Sequence, residues 1–210
     1  MRHVRQWQDI KLSATASNWR LFSVRKADPA FLSFEQKIFE RDHYTCQFCG
    51  FQAKQFQEVI NLDGDFRHNK MRNLVTACRF CAQCFFLESI GKTDFGSGTL
   101  IYLPEMSQVE LNALCHVLFA KMVMNLQGAL DARNIYRSLK LRSQSVEKHI
   151  GEGYSQPALY GHMLVELHDD QVSQLHSKLC ESLRVLPSLP HFATLVRILA
   201  QHAVGDLYRI

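Results

Sequence analysis

The pattern of apolar and polar residues divides the chain into a mixed amino-terminal part and a helical carboxy-terminal part. Beyond residue 107, apolar residues recur at the three- and four-residue spacing of helices. Ser107 and Glu110 form a capping box, and the helix after them is apolar on nearly all its faces, which predicts a central or interface position. Further helices are predicted over residues 132–149, 157–167, 169–186 and 190–205.

The amino-terminal residues carry weaker signals. Alternation of polar and apolar residues at 19–24 predicts a short strand, and the Asp-Pro pair at 28–29 predicts a break in the chain. A serine and a glutamine at 33 and 36 have the spacing of a capping box. A helix is therefore predicted over residues 34–42.

The middle of the chain predicts a hairpin. The strings EVINL at 58–62 and NLVTAC at 73–78 read as strands on either side of a polar turn. A helix is predicted over residues 78–91, followed by a glycine-rich linker at 91–98. The predicted fold class is α+β, with a small ββα module followed by a mainly helical domain. The expected units are an N-terminal segment at 1–32 that packs on the module, the module at 33–91, and the helical domain at 92–210.

Composition places the chain among globular proteins. Of its 210 residues, 47% are hydrophobic and 21% are charged. No run approaches the roughly 18 apolar residues that span a membrane, and the amino terminus lacks the apolar core of a signal peptide. We therefore expect a cytoplasmic protein that reaches a membrane only through a partner.

The net charge of +4 is unevenly distributed along the chain. Residues 1–80 contain 13 Lys and Arg against 8 Asp and Glu, whereas residues 81–210 contain 11 against 12. No run of like charge forms a stripe that could follow a nucleic acid. Charge alone therefore gives only weak support for nucleic-acid binding.

Five of the seven cysteines lie between residues 46 and 84. The odd total of seven cysteines favours a reducing compartment over a disulfide framework. Two C-x-x-C pairs supply four thiolates that complete a closed tetrahedral shell. This pattern predicts a structural zinc ion held by Cys46, Cys49, Cys78 and Cys81. The alternatives are four reduced cysteines without metal or an iron–sulfur site; a thioredoxin-like pair is disfavoured because neither pair lies in a βαβ pattern.

The remaining cysteines and the histidines give weaker evidence of a functional site. Cys84, three residues after Cys81, either replaces a ligand or is a buried core cysteine, and the core interpretation is favoured. Cys115 and Cys180 lie on apolar helical stripes and are expected in the core. The scattered histidines show no ligand spacing and are expected to be surface or satisfied core residues: His116, His149, His162, His168, His176, His191 and His202.

The cysteine region resembles a known enzyme family. RDHYTCQFCG at 41–50 and NLVTACRFC at 73–81 are similar to the zinc-bearing HNH endonucleases. In that family the pattern is Arg-Asp-x-Tyr-x-Cys-x-x-Cys-Gly, a strand ending in Asp-His, then Asn-Leu-Val-x-x-Cys-x-x-Cys. The resemblance implies two strands and a helix held together by the four-cysteine zinc, and it covers about a quarter of the chain.

The catalytic part of that family's pattern is missing. The family carries an Asp-His pair on the first strand, with His as general base and Asp as a ligand of the catalytic metal. Here Ile60 and Asn61 stand in that place. An amide cannot accept the proton, and isoleucine cannot bind a metal. Asp63, Asp65 and His68 could rebuild a site, but a solvated turn is the favoured interpretation.

Over its whole length, the chain resembles a subunit family of the Dot/Icm type IVB secretion system of Legionella-type bacteria. The resemblance rests on RDHYTCQFCG, NLVTACRFCAQCFFLES, Asn61 in the catalytic place, and the helical second half. It implies a non-enzymatic adaptor of the coupling complex, peripheral to the inner membrane through that complex. The expected partners are the C-terminal extension of the coupling ATPase DotL and other coupling-complex subunits, in support of effector recruitment and translocation. No small-molecule substrate is expected, and the alternative is a nucleic-acid-binding protein or residual metal-dependent HNH nuclease.

The cysteine module is rich in phenylalanine. Such side chains either form an apolar groove for a partner helix or pack the module against the rest of the chain. Their exposure distinguishes the two roles. The residues concerned are Phe48, Phe51, Phe56, Phe66, Phe80, Phe85 and Phe86.

Overall fold

The structure is a computed structural model that describes residues 8–166 and 181–207. Its helices are α1 (Asn18–Arg25), α2 (Pro29–Arg41), α3 (Arg79–Ala82), α4 (Gln108–Val123), α5 (Ala129–Leu141), α6 (Ser143–Ile150), α7 (Pro157–Glu166) and α8 (Leu189–Leu207). Its strands are β1 (Gln57–Asn61), β2 (Leu74–Cys78), β3 (Gly98–Tyr102) and β4 (Leu183–Pro187). Short 3₁₀ turns occur at Met71–Asn73, Gln83–Phe85 and Leu87–Ser89. The predicted α+β class is confirmed.

Strands β1 and β2 form the predicted antiparallel hairpin, each within one residue of its predicted bounds. The register runs from Gln57 opposite Cys78 to Asn61 opposite Leu74, and every residue of both strands is buried. Helix α2 covers the hairpin, and its Ile38 packs in one apolar cluster with Leu74 and Val59. The hairpin therefore holds Cys78 at one end and Asn61 at the other.

The strand predicted at 19–24 is wrong, because this segment is helix α1. Trp19 and Phe22 lie three residues apart, so one helical face presents both rings to the core. Their centroids lie 5.6 Å and 4.7 Å from that of Phe86. Tertiary aromatic packing therefore overrides the local alternation.

Helix α2 begins earlier than predicted. The Asp-Pro pair expected to break the chain instead starts the helix: the carboxylate of Asp28 accepts a hydrogen bond from the Ala30 amide at 2.9 Å, and Pro29 is the first helical residue. The spacing at Ser33 therefore lies inside the helix and does not cap it.

The continuous helix predicted over residues 78–91 is also wrong. After the single turn α3, the chain continues in two 3₁₀ turns. The carbonyl of Cys84 accepts from the Ser13 amide at 3.0 Å, and the Leu87 amide donates to the Ser13 carbonyl at 3.1 Å. The amino-terminal segment thus takes hydrogen bonds that a helix would form within itself.

Sequence patterns missed a second two-stranded sheet, whose strands lie about 80 residues apart in the chain. Strands β3 and β4 pair antiparallel, from Gly98 opposite Pro187 to Tyr102 opposite Leu183. The linker predicted at 91–98 therefore ends in a strand, and the helix predicted over 169–186 is wrong at 183–186. Residues 169–180 of that prediction lie outside the described residues. Gly98 permits the pairing, since a Cβ there would lie 2.7 Å from the carbonyl oxygen of Leu186.

The helical prediction is otherwise largely correct. The capping box at Ser107 and Glu110 is formed, and α4 lies centrally against α3, α5, α8 and β4. The single helix predicted at 132–149 divides at Arg142 into α5 and α6. Helices α7 and α8 match their predicted positions closely.

One apolar core runs from the cysteine module into the helices. The Phe80 ring packs against Phe119 of α4 and Phe192 of α8, with centroids 5.4 Å and 4.8 Å away. Side chains from both two-stranded sheets join the same core. No helix of the described residues combines the length and apolar character needed to cross a membrane.

Candidate metal centre

The structure brings the four predicted cysteine sulfurs together. The Sγ atoms of Cys46, Cys49, Cys78 and Cys81 all lie within 4.8 Å of one another, and they could hold a metal ion. The first pair lies in the loop before β1, and the second spans the end of β2 and α3. Gly50 has a φ of +77°, and its amide donates to the Cys46 carbonyl at 3.1 Å. This left-handed turn directs both sulfurs of the first pair to one point.

The Arg-Asp pair that precedes the first cysteines holds the two halves of the cluster together. Asp42 is buried, and its Oδ2 accepts a hydrogen bond from the Thr76 amide at 2.8 Å. Arg41 donates to the Leu74 carbonyl at 2.6 Å and to Asp42 Oδ1 at 2.8 Å. The end of α2 is thereby tied to β2, which places the loop of the first cysteine pair beside the second pair.

A buried glutamine holds the first cysteine loop in shape. Nε2 of Gln57 lies 3.2 Å from the carbonyl oxygens of both Tyr44 and Ala53, on the two sides of the loop. Within the loop, the Cys46 amide donates to the Phe51 carbonyl at 2.9 Å. The position of the first two sulfurs is therefore set by strand β1 as well as by the loop.

The donor set matches a tetrahedral divalent ion. Zinc–sulfur bonds of about 2.3 Å in a tetrahedron place neighbouring sulfurs about 3.8 Å apart. The sulfurs of Cys49 and Cys78 are 3.5 Å apart, close to that value and well beyond a disulfide bond. The six cysteines in the described residues are all free thiols.

Protons are shared unequally within the cluster. Burial raises the pKa of Cys78 and Cys81 well above the ordinary thiol value, and neighbouring sulfurs add to the shift. Burial alone would also raise the pKa of Cys46, but hydrogen bonds from the other three cysteines bring it well below the ordinary value. Four crowded thiols cannot all ionise by themselves, so a bound cation would supply the missing positive charge.

Two side chains of α4 reach the cluster from outside the cysteine module. Nδ2 of Asn112 lies 3.3 Å from Cys81 Sγ, and Nε2 of His116 lies 3.2 Å from Cys78 Sγ. Sequence reasoning missed this role and expected His116 to be a surface or satisfied core residue. The available signal was the spacing of two polar residues four apart within a largely apolar helix.

The His116 imidazole is held between two aromatic rings. Its centroid lies 3.7 Å from that of Phe51 and 4.2 Å from that of Phe80, with interplanar angles of 2° and 13°. Burial lowers the pKa of His116 to about 3, so the imidazole is neutral at physiological pH. The stack fixes the ring plane with Nε2 directed at the sulfur.

The other described cysteines lie apart from the four. Cys84 is fully buried, and its thiol donates to the Phe80 carbonyl at 3.3 Å. Cys115 is buried in α4. Burial raises the pKa of both thiols to about 12. The core interpretation of Cys84 and Cys115 therefore agrees with the structure, and Cys180 lies outside the described residues.

Asn61, in the place of the HNH general base, is fully buried and its amide is fully engaged. Its Oδ1 accepts a hydrogen bond from Arg25 Nη1 at 2.6 Å, and its Nδ2 donates to the carbonyls of Asp65 and His68 at 2.8 Å and 3.0 Å. Arg25 also donates to the Val59 carbonyl. A guanidinium group thus lies beside the residue that would flank a catalytic cation.

The guanidinium of Arg25 is itself enclosed by aromatic rings. Its Cζ lies 4.6 Å from the ring centroid of Phe31 and 4.9 Å from that of Phe66. Burial lowers the pKa of Arg25 to about 10, which leaves the side chain charged at physiological pH. A second cation at this place would meet direct charge repulsion.

Asp63, Asp65 and His68 form a partly exposed turn. Asp63 Oδ2 lies 2.5 Å from His68 Nδ1, and Asp63 Oδ1 accepts from Asn73 Nδ2 at 2.9 Å. Asp65 instead caps the Arg67 amide at 2.9 Å. Within the described residues, the four cysteines are the one group of three or more His, Cys, Asp or Glu side chains placed to hold a metal ion.

A pocket of about 590 Å³ opens beside the cysteine cluster, where the loop at 43–55 faces α4 and α8. Its walls are mainly apolar and include Tyr44, Phe51, Ala53, Ala120, Val196, Leu199 and Ala200, together with His43 and His116. Most phenylalanines of the module are not part of it: Phe48, Phe66, Phe80 and Phe86 are core residues. The core-packing role therefore accounts for these four, whereas Phe51, Phe56 and Phe85 are half-buried.

No family model matches the sequence. The chain is 50% identical over 199 residues to the type 4 apparatus protein DotN of Legionella pneumophila, and the match covers 95% of this chain and 92% of that protein. The resemblance of the whole chain to a Dot/Icm subunit family is thereby confirmed. The chain belongs to the family of the type 4 apparatus protein DotN.

Proposed function

We propose that this chain is a non-enzymatic adaptor subunit of a type IVB secretion coupling complex. It binds the C-terminal extension of the coupling ATPase DotL and supports effector recruitment and translocation at the inner membrane. The observation that carries the proposal is the 50% identity, along almost the whole of both chains, to a type 4 apparatus protein.

The cysteine cluster would hold a structural zinc ion in this adaptor. Cys46, Cys49, Cys78 and Cys81 would fill all four positions of the tetrahedral ion, leaving none for a substrate. Zinc would join the loop before β1 to the end of β2 and to α3. The metal would thus supply part of the folding free energy of the module.

The absence of catalysis is supported by the contacts of Asn61. Its amide makes three hydrogen bonds within the protein and has no basic nitrogen to activate water. Arg25 brings a buried positive charge to the position beside it. Asp63 and His68 pair with each other in the neighbouring turn, while the Asp65 carboxylate faces a backbone amide.

The pocket beside the cysteine cluster supports the adaptor role. It joins an apolar wall of α8 to the aromatic edge of the cysteine loop, and it is large enough for side chains from one face of a partner helix. Phe51 links this wall to the metal centre, because its ring also stacks on His116. Loss of metal would therefore alter the pocket as well as the cluster.

Affinity purification from the bacterium that encodes the chain tests the proposal. A tagged wild-type chain should retain the coupling ATPase and other secretion subunits, identified by mass spectrometry, whereas a tagged Cys46→Ser/Cys81→Ser chain should not. Recovery of nucleic acid in place of secretion subunits, with binding that weakens steeply as salt is raised, would instead support the nucleic-acid alternative.

A further inference from the structure

We propose that α4 provides two outer hydrogen-bond donors to the metal centre, with Asn112 donating to the Cys81 thiolate and His116 donating to the Cys78 thiolate. The inference rests on the zinc site proposed above and goes beyond it. It makes the helical part of the chain a component of the metal site. Both residues are positioning residues, since they touch ligands and not the metal.

The geometry places both donors on one face of the helix. Asn112 and His116 are four residues apart, so their side chains point the same way one turn apart. The two N···S distances are 3.3 Å and 3.2 Å. The acceptors belong to the same C-x-x-C pair. One helical turn therefore spans the two sulfurs that strand β2 and helix α3 supply.

The orientation of the Asn112 amide is fixed by its neighbours. Its Oδ1 accepts a hydrogen bond from Gln108 Nε2 at 2.9 Å, which leaves Nδ2 as the group that faces Cys81. Gln108 is in turn held by the backbone of Val185, through Nε2 to the carbonyl at 2.9 Å and from the amide to Oε1 at 2.7 Å. A chain of hydrogen bonds thus runs from β4 through α4 to the cluster.

The orientation of His116 is fixed differently, by the stack between Phe51 and Phe80. A thiolate has no proton to give, so the nitrogen that faces it must carry the hydrogen. The two donors are therefore preorganised by independent means. Such second partners of metal ligands are a recurring part of metal sites.

The chemical need for donors follows from charge. A divalent zinc ion with four thiolates keeps a net negative charge, and three of the four cysteines here are buried. N–H groups aimed at the sulfurs disperse that charge and so stabilise the zinc-bound thiolates. Loss of an outer partner lowers metal affinity by about 10- to 100-fold in known sites.

Variants at His116 separate hydrogen bonding from packing. His116→Phe keeps an aromatic ring in the stack but removes the N–H donor. His116→Gln loses the ring but offers an amide N–H at a similar reach. Asn112→Leu removes the second donor at nearly constant volume. Leu118→Ala, at a buried α4 residue whose side chain has no hydrogen-bond donor to offer a sulfur, is the control for general loss of packing.

The test begins with zinc content and then measures zinc release to a chromophoric chelator. Purified wild-type protein should carry one zinc per chain; wild-type protein without zinc would overturn the proposed metal site itself. Given zinc, His116→Phe and Asn112→Leu should release it about tenfold faster than wild type. His116→Gln should stay close to wild type, and Leu118→Ala should lose thermal stability without faster release below its unfolding temperature.

A spectroscopic signature gives an independent readout. In the cobalt-substituted protein, removal of an N–H donor makes the sulfur a better electron donor, so the sulfur-to-cobalt charge-transfer band should move to longer wavelength in His116→Phe and Asn112→Leu. Suppose that wild type contains zinc and that wild type, His116→Phe and Asn112→Leu release it at equal rates. If their cobalt-substituted forms also have the same charge-transfer band, the outer-donor proposal is overturned and the zinc site stands.

Discussion

The Arg25 guanidinium donates a 2.6 Å hydrogen bond to the side-chain oxygen of Asn61, and both residues are buried. These residues are 36 positions apart in the chain, and the contact joins α1 to the end of β1. It places a positive charge where the HNH resemblance would require a catalytic metal. Protein groups thus occupy the place that the HNH resemblance assigns to the catalytic residues.

Restoring a histidine at this position should not create a nuclease. Asn61→His would lose the 2.6 Å hydrogen bond to Arg25 and at least one backbone contact, so we expect a loss of stability of about 1–3 kcal/mol. Plasmid cleavage with Mg²⁺ or Mn²⁺ should be absent in both wild type and variant. Cleavage by the wild type that Asp63→Ala or His68→Ala abolishes would reverse this conclusion.

Removal of the buried guanidinium should destabilise the fold. Arg25→Met leaves the Asn61 oxygen and the Val59 carbonyl without their partner, and we expect a loss of about 2–4 kcal/mol in urea-induced unfolding. Arg20→Met, on the exposed face of the same helix, should change stability by less than about 0.5 kcal/mol. If Arg25→Met lowers the free energy of unfolding as little as Arg20→Met does, Arg25 has no structural role.

Substitutions of the five clustered cysteines should differ sharply in their effect on zinc binding. Cys81→Ala removes one of four sulfurs, so purified protein should lose its zinc and the module should unfold. Cys84→Ala removes a buried thiol outside the cluster and should keep one zinc per chain. Metal analysis by mass spectrometry measures both. Zinc retained by Cys81→Ala and lost from Cys84→Ala would identify a different ligand set.

Short sequence motifs correctly predicted the arrangements that depend on residues close together in the chain. The two C-x-x-C pairs, the β1–β2 hairpin and the Ser107 capping box each reside in one short string, and the structure contains all three arrangements. Sequence patterns predicted a strand at α1 and a helix at β4, and both predictions are wrong because contacts with distant residues decide the conformation there.

The most informative side chains act over long sequence separations. Arg25 meets Asn61, and His116 meets Cys78 across 38 positions. Neither pairing leaves a spacing pattern, because the partners are brought together by the fold and not by one helix or strand. Asn112 and His116 are polar residues within a largely apolar helix, but that pattern does not reveal what they contact.

Stability should depend on pH through Glu88. Burial raises the pKa of Glu88 to about 7, although the nearby amides of Glu88 and Thr15 and the charge of Lys92 offset part of the shift. The ordinary value is 4.5, so the folded chain binds this proton more tightly than the unfolded chain. The carboxyl group therefore costs nothing below about pH 4.5 and destabilises the fold increasingly as pH rises through 7.

A neutral isostere should remove this pH dependence. Glu88→Gln should be more stable than wild type by about 1–2 kcal/mol at pH 8, less than the full shift would give because the side chain is partly exposed. Near pH 5 the difference should be small. Glu152→Gln, at an exposed position, is the control. Unfolding curves at both pH values measure the effect, and a Glu88→Gln advantage that is larger at pH 5 than at pH 8 would refute it.

The central claim is that a metal-held module serves a type IVB secretion complex by binding its coupling ATPase. Calorimetric titration of the purified, zinc-containing chain with the C-terminal extension of DotL tests this most directly. We predict saturable binding with one extension per chain, and loss of that binding after zinc is removed. A folded, zinc-containing chain that binds no extension would contradict the account.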